Sequence, residues 1–392
     1  MNSQFLNLGL QPLANQYLQK FKDKQKKYHL KVFFNNKNKL VSISKRISSK
    51  KMFNNKYPYK SSMSKTMKDS FKKLSNEINK RFKPNLLLEI GSNDGALMKN
   101  FKKNKIIGVE PCSNLSKITN DKGFTTYNDY WNLDLAKKIR KKKGKVDLIY
   151  SANTLTHISD LKSVFKSIDF LLVKSGILII EDPSLLECIK KNSYDQFYNE
   201  HIYLFSALAL KNIIKKFNLE IFDIKNLKTH GGSLRYYIKK KDNNNIKISK
   251  NVVKQINIEI KFGLNKISTY KNFAKKVKKS KKELKNILTK LKKNNKKIIG
   301  YGATAKATTI LNYCNIDSKL IEFFLDTTPD KMNKFMPGKN IKILKYNQNF
   351  LNKYDYAYLG AWNFKDEILK KEMKFRKIGG KFITHVPYPK IF

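Results

Sequence analysis

NLLLEIGSNDG at residues 85–95 decides the fold of this chain, because an apolar run leads directly into a glycine-bearing turn. The run at residues 85–90 predicts a strand buried in a parallel sheet. Glycines in the turn let the backbone approach a ligand at the carboxyl end of such a strand. We expect a helix after the turn, containing Leu97, Met98 and Phe101.

Further strand-like runs follow along the chain, with helical patterns between them. They stand at residues 106–110, 146–151 and 176–181. Strands that alternate with helices over residues 84–240 favour an open, doubly wound α/β sheet. The same pattern resumes at Lys297, which predicts a second, smaller α/β unit. Residues 241–296 are rich in lysine with apolar residues at helical spacing, so they predict one or two long exposed helices.

The composition bounds the class of protein. A length of 392 residues with 41% hydrophobic residues allows two or three domains and excludes a disordered chain. No apolar run approaches the roughly 18 residues that a membrane-spanning helix needs. The N-terminus lacks the pattern of a secretion signal, and three widely separated cysteines are typical of a reducing compartment. We therefore expect a cytoplasmic protein without a membrane partner.

The formal net charge of +52 raises the question of a polyanionic partner. Of the 82 basic residues only five are arginine, and the lysines are spread along the whole chain. Nucleic-acid readers favour arginine, which contacts guanine and phosphate with two parallel hydrogen bonds. We interpret the lysines as solvated faces and expect no specific nucleic-acid partner. A polyanion-binding protein is kept as the alternative of another class.

The glycine-bearing turn and the end of the second strand form a candidate nucleoside site. Glu110 ends that strand nineteen residues after Gly91, where an acidic side chain accepts hydrogen bonds from ribose hydroxyls. This combination resembles the class I S-adenosylmethionine (SAM) methyltransferases, and the alternative is a turn that binds nothing. The resemblance implies SAM as the cofactor, held by Glu89, Gly91, Ser92, Asn93, Asp94, Gly95, Glu110 and Asn153.

A second polar group of residues, YNEH at 198–201, has the composition of a general base and its helpers. The imidazole of His201 titrates near neutrality and can take a proton at cellular pH. Glu200 can tune or orient the imidazole, and Tyr198 can donate a hydrogen bond to a developing oxyanion. His157 is a candidate substrate contact, although a structural role at a helix start is equally compatible with its position.

The segment THGGSLR at residues 229–235 offers backbone donors and one of the few arginines. We interpret His230 and Arg235 as candidate substrate contacts. A tight hairpin turn without a binding role fits the same residues equally well.

Six motifs follow one another in an order that resembles a known family. They are YPYKSS at 57–62, EIGSNDG at 89–95, YNEHIYLFS at 198–206, THGGSLR at 229–235, GYGATAKATT at 300–309 and AWNF at 361–364. This order is similar to that of the SAM-dependent sugar-nucleotide C-methyltransferases of the NDP-hexose 3-C-methyltransferase type. The resemblance implies a class I SAM methyltransferase domain, a smaller Rossmann-like C-terminal domain and a small N-terminal domain. The implied boundaries are 1–70 for the zinc-binding-like N-terminal domain, 71–240 for the SAM domain, 241–296 for a helical connector and 297–392 for the nucleotide-sugar-binding domain.

The chemistry that the family implies is methylation of a carbon next to a ketone. A base removes the α-proton, an enolate forms, and the carbon takes the methyl group of SAM. By position, His201 is implied as the base and Glu200 as its partner. Tyr198 and one of Tyr57 or Tyr59 are implied as hydroxyls near the enolate oxygen. The alternative within the same class is an O- or N-methyltransferase acting on a sugar.

The C-terminal motif resembles the family's loop for the nucleotide diphosphate of the substrate. Small residues admit phosphates, and a helix N-terminus with Lys306 favours negative charge. The implied contacts are Gly300, Gly302, Thr304, Lys306 and, at the end of the next strand, Asp326. A docking domain with an empty loop is the alternative. The implied partner is a nucleotide-linked keto sugar, and we expect a monomer or a homodimer.

The N-terminal domain departs from the family at its metal site. The family carries two Cys-x-x-Cys pairs whose thiolates bind zinc in a tetrahedral site. The position of the first pair precedes this chain, and Asn35 and Asn38 stand where the second pair is expected. Neutral asparagine is a poor zinc ligand, so the sequence predicts no bound zinc.

Overall fold

The computed structural model describes residues 2–21, 23–44 and 47–392, and within these ranges the strands form three sheets. A four-stranded antiparallel sheet lies in the N-terminal unit, a seven-stranded mixed sheet in the central unit and a six-stranded mixed sheet in the C-terminal unit. The predicted α/β fold class is confirmed, with one doubly wound sheet and a second, smaller one.

The elements follow the chain in three groups. The N-terminal group is β1 (Asn2–Pro12), β2 (Lys27–Asn35), β3 (Val41–Ile43), α1 (Ser49–Met52) and α2 (Lys65–Arg81). The central group is β4 (Leu87–Ile90), β5 (Ile106–Val109), α3 (Ser113–Asp121), β6 (Thr125–Tyr127), α4 (Leu133–Lys143), β7 (Val146–Ala152), α5 (Leu161–Leu171), β8 (Leu172–Pro183), α6 (Leu185–Lys190), β9 (Tyr203–Leu204), α7 (Ala207–Ile214), β10 (Leu219–Leu227) and β11 (Ser233–Lys240). The C-terminal group is α8 (Lys250–Phe262), α9 (Ile267–Lys293), β12 (Ile298–Tyr301), α10 (Ala305–Tyr313), β13 (Phe323–Asp326), β14 (Lys342–Lys345), α11 (Gln348–Leu351), β15 (Tyr356–Leu359), α12 (Lys365–Lys371), α13 (Met373–Lys377), β16 (Lys381–Thr384) and β17 (Lys390–Ile391).

The central sheet has the strand order β10-β11-β8-β7-β4-β5-β6. Its strands β4 to β8 run parallel, and β11 pairs antiparallel with both β8 and β10. β4 is buried at all four positions, as expected for a strand covered on both faces. The carboxyl ends of β4, β5 and β7 meet at one edge, which brings the turns after these strands together.

The connection after β4 differs from the prediction. The expected helix is only a single 3-10 turn, Met98–Asn100, because Phe101 leaves it in an extended conformation with φ −123°. Leu97 and Met98 are buried against the face of the sheet, so the apolar residues are used for packing without a full helix.

Helix α2 runs across the predicted domain boundary at residue 70. Its buried face, with Met67, Phe71, Leu74 and Ile78, packs into the core of the central sheet. The central unit therefore begins before residue 71, because this amphipathic helix buries its apolar face there.

Strand β9 joins the N-terminal sheet to the central unit. Val41 pairs with Leu204 and Ser42 with Tyr203, which completes the order β1-β2-β3-β9. Because β9 begins two residues after His201, the predicted base is tied to the N-terminal sheet as well as to its own unit.

Asparagine side chains close the turn between β2 and β3. Asn35 Oδ1 accepts hydrogen bonds from the backbone N–H groups of Lys37 and Asn38 at 2.9 and 3.0 Å. Asn38 Oδ1 accepts another from the N–H of Leu40 at 3.1 Å. Within residues 2–21, 23–44 and 47–392 no group of three or more His, Cys, Asp or Glu residues stands where it could hold a metal ion.

Two helices link the central and C-terminal sheets. The 27-residue α9 buries Tyr270, Phe273 and Leu284 and leaves its lysines on the outer face. None of the helices in the described ranges is both long and apolar enough to cross a membrane.

Arg235 lies inside the fold and not at a substrate site. Its guanidinium is 3.0 Å from Oε2 of Glu181 on β8 and 3.3 Å from Oε2 of Glu77 on α2. Only 5% of Arg235 is exposed, because β11 is an inner strand of the central sheet. The prediction of a substrate contact is therefore wrong for Arg235.

Replacement of Arg235 by Met is expected to lower stability without weakening substrate binding. The change leaves the buried Glu181 carboxylate unpaired, which costs about 3–5 kcal/mol. Denaturant unfolding measures the loss, and Arg140→Met, on the exposed face of α4, is the matched control. A variant with normal stability and weaker binding of a nucleotide would contradict this assignment.

Candidate functional site

A cavity of about 790 Å³ lies where the three units meet. The predicted site residues that line it are Tyr57, Tyr59, Glu89, Gly91, Ser92, Asn93, Glu110, Asn153, His157, Tyr198, His201, His230, Gly302, Thr304, Lys306 and Asp326. The predicted site residues that do not line it are Asp94, Gly95, Glu200, Arg235 and Gly300. One cavity thus collects residues from all six sequence motifs, and the sixth contributes Ala361, Asn363 and Phe364.

The turn after β4 forms a cradle for a bound molecule. Gly91 has φ +74°, and a Cβ there would lie 2.1 Å from Oγ1 of Thr154, so only glycine fits. Glu89 Oε2 and Ser92 Oγ are buried and make no hydrogen bond with any described residue. Burial raises the pKa of Glu89 well above its ordinary value. Unpartnered polar atoms beside a glycine cradle fit the ammonium and hydroxyl groups of a SAM molecule.

Glu110 holds the two loops of this cradle together. Its Oε2 accepts the backbone N–H of Asn93 at 2.9 Å, and its Oε1 accepts the N–H of Cys112 at 2.8 Å. Burial raises the pKa of Glu110, although both N–H donors oppose that rise. Each carboxylate oxygen can accept a further hydrogen bond, which is what ribose hydroxyls require.

Asn93 and Asp94 use their side chains to fasten the N-terminal unit. Asn93 Oδ1 accepts the N–H of Ser61 at 2.8 Å, and its Nδ2 donates to the carbonyl of Tyr59 at 3.1 Å. Asp94 accepts the N–H of Ser62 at 3.2 Å and the Ser62 hydroxyl. Asp94 therefore faces the segment at residues 57–62 and lies outside the cavity, which differs from its expected role as a cofactor contact.

Two of the predicted glycines are required by packing. A Cβ at Gly95 would lie 2.6 Å from the methyl group of Thr119, and a Cβ at Gly300 would lie 2.4 Å from the ring of Phe324. These neighbours separate Gly95 and Gly300 from the cavity, so neither is placed to contact a ligand.

His201 is held in one orientation by hydrogen bonds at both ring nitrogens. Nδ1 lies 2.8 Å from the carbonyl oxygen of Gln196, and Nε2 lies 2.5 Å from the hydroxyl of Tyr198. Because a carbonyl only accepts, Nδ1 carries the proton, and the lone pair of Nε2 accepts the Tyr198 hydroxyl. Burial, together with the charges of nearby His157 and Lys306, lowers the pKa of His201 well below its ordinary value. The imidazole is therefore neutral and available as a base.

Glu200 makes no hydrogen bond with His201, which differs from the expected pairing. Its Oε1 accepts the backbone N–H and the side-chain Nδ2 of Asn15 at 3.3 and 3.2 Å. Adjacent residues of this turn direct their side chains to different sides, so the carboxylate faces the N-terminal unit. Burial raises the pKa of Glu200 to about 7, although the Asn15 donors oppose that rise.

Two further histidines stand beside His201. The ring of His157 stacks on His201 and on Phe53, with both centroid distances 5.2 Å. Burial lowers the pKa of His157 to about 4. His230 Nε2 lies 3.2 Å from Nδ2 of Asn153, and burial, with Lys306 nearby, lowers the pKa of His230 to about 3. All three rings are thus neutral at cellular pH.

The tyrosines of the cavity keep their protons. Burial, with Glu200 nearby, raises the pKa of Tyr57 and of Tyr198 well above the ordinary value. Tyr57 packs against Phe53, while Tyr59 is 42% exposed at the rim of the cavity. Protonated phenols can donate hydrogen bonds to an oxygen that gains negative charge.

The C-terminal wall combines a glycine turn, a helix start and two lysines. Gly302 has φ +84°, and Thr304 Oγ1 accepts the N–H of Ala307 at 3.1 Å to cap α10. Burial lowers the pKa of Lys306, which extends from the first turn of this helix. Asp326 Oδ2 is 3.2 Å from Nζ of Lys331, so this carboxylate is already paired.

Sequence reasoning missed Gln196, Asn15 and Lys331. Gln196 stands two residues before Tyr198, and its carbonyl oxygen has no sequence signature. Asn15 meets Glu200 only because β1 and the central unit pack together. The sequence does not distinguish Lys331 from the many other lysines. Its position in the lining of the cavity does.

Comparisons with known proteins match this chain to methyltransferases. A methyltransferase domain matches residues 59–224, and a C-methyltransferase C-terminal domain matches residues 228–387. C-methyltransferase NovU from Streptomyces niveus is 29% identical over 308 residues, which cover 78% of this chain and 73% of NovU. The protein is a SAM-dependent C-methyltransferase. The expected family is confirmed, and the matches support SAM as the cofactor.

Two solved structures similar to this C-methyltransferase each cover less than half of it. A SAM-dependent methyltransferase from Clostridium acetobutylicum is 14% identical with a TM-score of 0.34, covering 44% of this chain and 91% of that one. A possible histamine N-methyltransferase from Thermotoga maritima is 18% identical with a TM-score of 0.30, covering 43% of this chain and 97% of that one.

Replacement of His157 by Phe is expected to reduce the loss of stability in acid. The unfolded chain binds a proton on His157 below pH 6.5, whereas the folded C-methyltransferase resists protonation until about pH 4. Stability therefore falls as pH drops from about 7 to about 5, and this group contributes about 2 kcal/mol of that fall. Urea unfolding at both pH values measures the difference, with exposed His29→Phe as the control. An equal fall in wild type and His157→Phe would contradict the neutral state of this ring.

Proposed function

We propose that this C-methyltransferase acts on a carbon next to the ketone of a nucleotide-linked keto sugar. The contact of Tyr198 with His201 at the cavity wall is the observation that supports the proposal most. A saturated carbon becomes nucleophilic only when a proton is removed, so it needs a base beside a donor for the resulting oxyanion. His201 supplies the base, and Tyr198 supplies the donor.

The proton moves from carbon to Nε2 of His201. Because the Gln196 carbonyl keeps the other proton on Nδ1, Nε2 is the nitrogen that can accept. As the ketone binds, the Tyr198 hydroxyl donates to the carbonyl oxygen instead of to Nε2. The electrons of the C–H bond then form a C–C double bond, and the carbonyl oxygen becomes an enolate oxygen. Tyr57 and Tyr59 offer further hydroxyls at this wall.

The glycine cradle at Gly91 would hold the cofactor. When bound, SAM supplies a methyl group that its sulfonium makes electrophilic without a metal ion. Glu110 would accept the ribose hydroxyls, and Glu89 would face the ammonium group, which favours ionisation of its carboxyl. Ser92 would complete these contacts with its free hydroxyl.

The C-terminal wall supports a substrate that carries phosphates. The capped start of α10 directs backbone N–H groups and Lys306 toward the cavity, and both favour an anion. Lys331 adds a second cation at the same wall. A nucleoside diphosphate would be attracted to Lys306 and the start of α10, and it would leave the sugar near His201.

Replacement of His201 by Gln is expected to abolish proton removal. TDP-4-keto-6-deoxyglucose in deuterated water, without SAM, is expected to exchange hydrogen next to its ketone in the wild type. The variant is expected to be slower by about 10²–10⁴-fold, the usual share of a general base. NMR of the sugar measures the exchange, and it is expected to persist as pH falls through about 6.5 because the pKa of His201 is lowered.

Exposed His29→Gln is the matched control and is expected to exchange like the wild type. Binding of the probe is checked separately by thermal shift, since a bound ligand raises the melting point. Methylation of the probe by a His201→Gln variant at the wild-type rate would overturn the proposal.

We also propose that the N-terminal unit holds its fold without zinc. The asparagine hydrogen bonds at residues 35–40 and the buried Leu30, Val32 and Phe34 support this. A chelator is expected to leave the melting temperature unchanged, whereas a structural zinc site would lose much of its folding energy. Calorimetry with and without EDTA, together with metal analysis of the purified chain, measures both. One equivalent of zinc in the protein would contradict the proposal.

A further inference from the structure

The 3-10 turn Tyr194–Gln196 of the central unit inserts two side chains into the C-terminal unit. Asp195 is fully buried, and its Oδ2 accepts the indole N–H of Trp362 at 2.5 Å. The same oxygen lies 3.3 Å from Nε2 of His385. The ring of Tyr194 meets His385 edge-on, with centroids 5.6 Å apart.

The third residue of this turn faces the opposite way, toward the base. The carbonyl oxygen of Gln196 accepts Nδ1–H of His201 at 2.8 Å. Its side-chain Nε2 donates to the carbonyl of His230 at 2.9 Å. Asp195, which contacts the C-terminal unit, is therefore adjacent in the chain to Gln196, whose carbonyl oxygen orients His201.

Trp362 also touches the loop that carries His230. A Cβ at Gly231 would lie 2.3 Å from Cη2 of the indole, so this ring packs directly on the glycine backbone. The indole thus contacts two backbone segments near His201. It reaches one through Asp195 and the other through Gly231. Neither Asp195 nor Trp362 lines the cavity, so neither is placed to touch a substrate.

The contact between Asp195 and the C-terminal unit is a charged one. Burial alone would raise the pKa of Asp195, but His385, Lys306 and the Trp362 N–H lower it below its ordinary value. An ionised acceptor makes a stronger hydrogen bond than a neutral one. An amide at position 195 would keep the shape and lose this strength.

We propose that Asp195 and Trp362 are positioning residues for the base. The contacts of Asp195 with the C-terminal unit fix the turn Tyr194–Gln196. The fixed turn then holds the His201 ring with its proton on Nδ1. The C-terminal unit then has a role in proton removal beyond any contact with a nucleotide. The inference rests on the proposed function only in taking His201 as the base.

The test compares Asp195→Asn and Trp362→Phe with the wild-type full chain. The chain has five histidines, so ¹⁵N-histidine labelling gives few signals, and a His201→Gln sample assigns the one of interest. In the wild type we expect His201 in the single tautomer protonated on Nδ1. In both variants we expect averaged ring-nitrogen shifts, because the turn no longer fixes Gln196.

A kinetic readout accompanies the spectra. Hydrogen exchange in TDP-4-keto-6-deoxyglucose is expected to slow by about 10- to 100-fold in both variants, as for a misplaced catalytic group, with KM nearly unchanged. Glu259→Gln is the matched control, since Glu259 is a buried carboxylate that accepts two backbone N–H groups at the start of α7. That control is expected to lose stability without a change in the His201 signal.

If the ring-nitrogen chemical shifts of His201 in both variants equal those of the wild type, the inference is overturned. This holds even if the variants lose as much stability as Glu259→Gln. Should Asp195→Asn fail to fold, Trp362→Phe decides alone, because it removes the indole N–H and keeps an aromatic ring in the C-terminal core. A wild type that shows the Nδ1 tautomer but exchanges no hydrogen would count against the proposed function and leave the positioning result standing.

Discussion

The pairing of β3 with β9 is the interaction on which the rest of the site depends. Only two residue pairs form it, together with the N–H of Ile43, which donates to the carbonyl of Ile202 at 2.9 Å. These bonds are buried, so leaving them unmade would cost more than they contribute when formed. Because β9 follows His201 almost directly, the N-terminal sheet fixes the backbone on which the base stands.

One hydrophobic core then binds the three units to each other. The stacked rings of Phe34 and Tyr270, 4.6 Å apart, join the N-terminal sheet to α9, and the same core continues to Phe197 and Phe324. Such shared burial offsets the mutual repulsion of a chain with net charge +52. The cavity exists because these units cannot separate without exposing that core.

Burial of the side chains that line the cavity gives it its chemistry. Burial keeps the imidazoles neutral and the phenols protonated, so the wall offers a base and hydrogen-bond donors at the same pH. Lys306 is the opposing charge: it lowers the pKa of His201 and also favours an anionic ligand. Lys306 thus affects the protonation state of His201 and adds positive charge to the wall of the cavity.

Local patterns in the sequence determined strands β4, β5, β7 and β8 of the central sheet, the glycine cradle at Gly91 and the position of His201 in a polar group, because each of these depends on neighbours in the chain. Tertiary structure alone decided which side chains share the cavity. Arg235 became part of a buried ion pair, since β11 lies inside the sheet, and Glu200 faced Asn15 instead of the adjacent imidazole. Gln196 acquired its role through a backbone carbonyl, which every residue possesses and no sequence pattern marks. The hydrogen-bond partners and the burial of a side chain depend on segments that are distant in the sequence. They are therefore defined only in the folded chain.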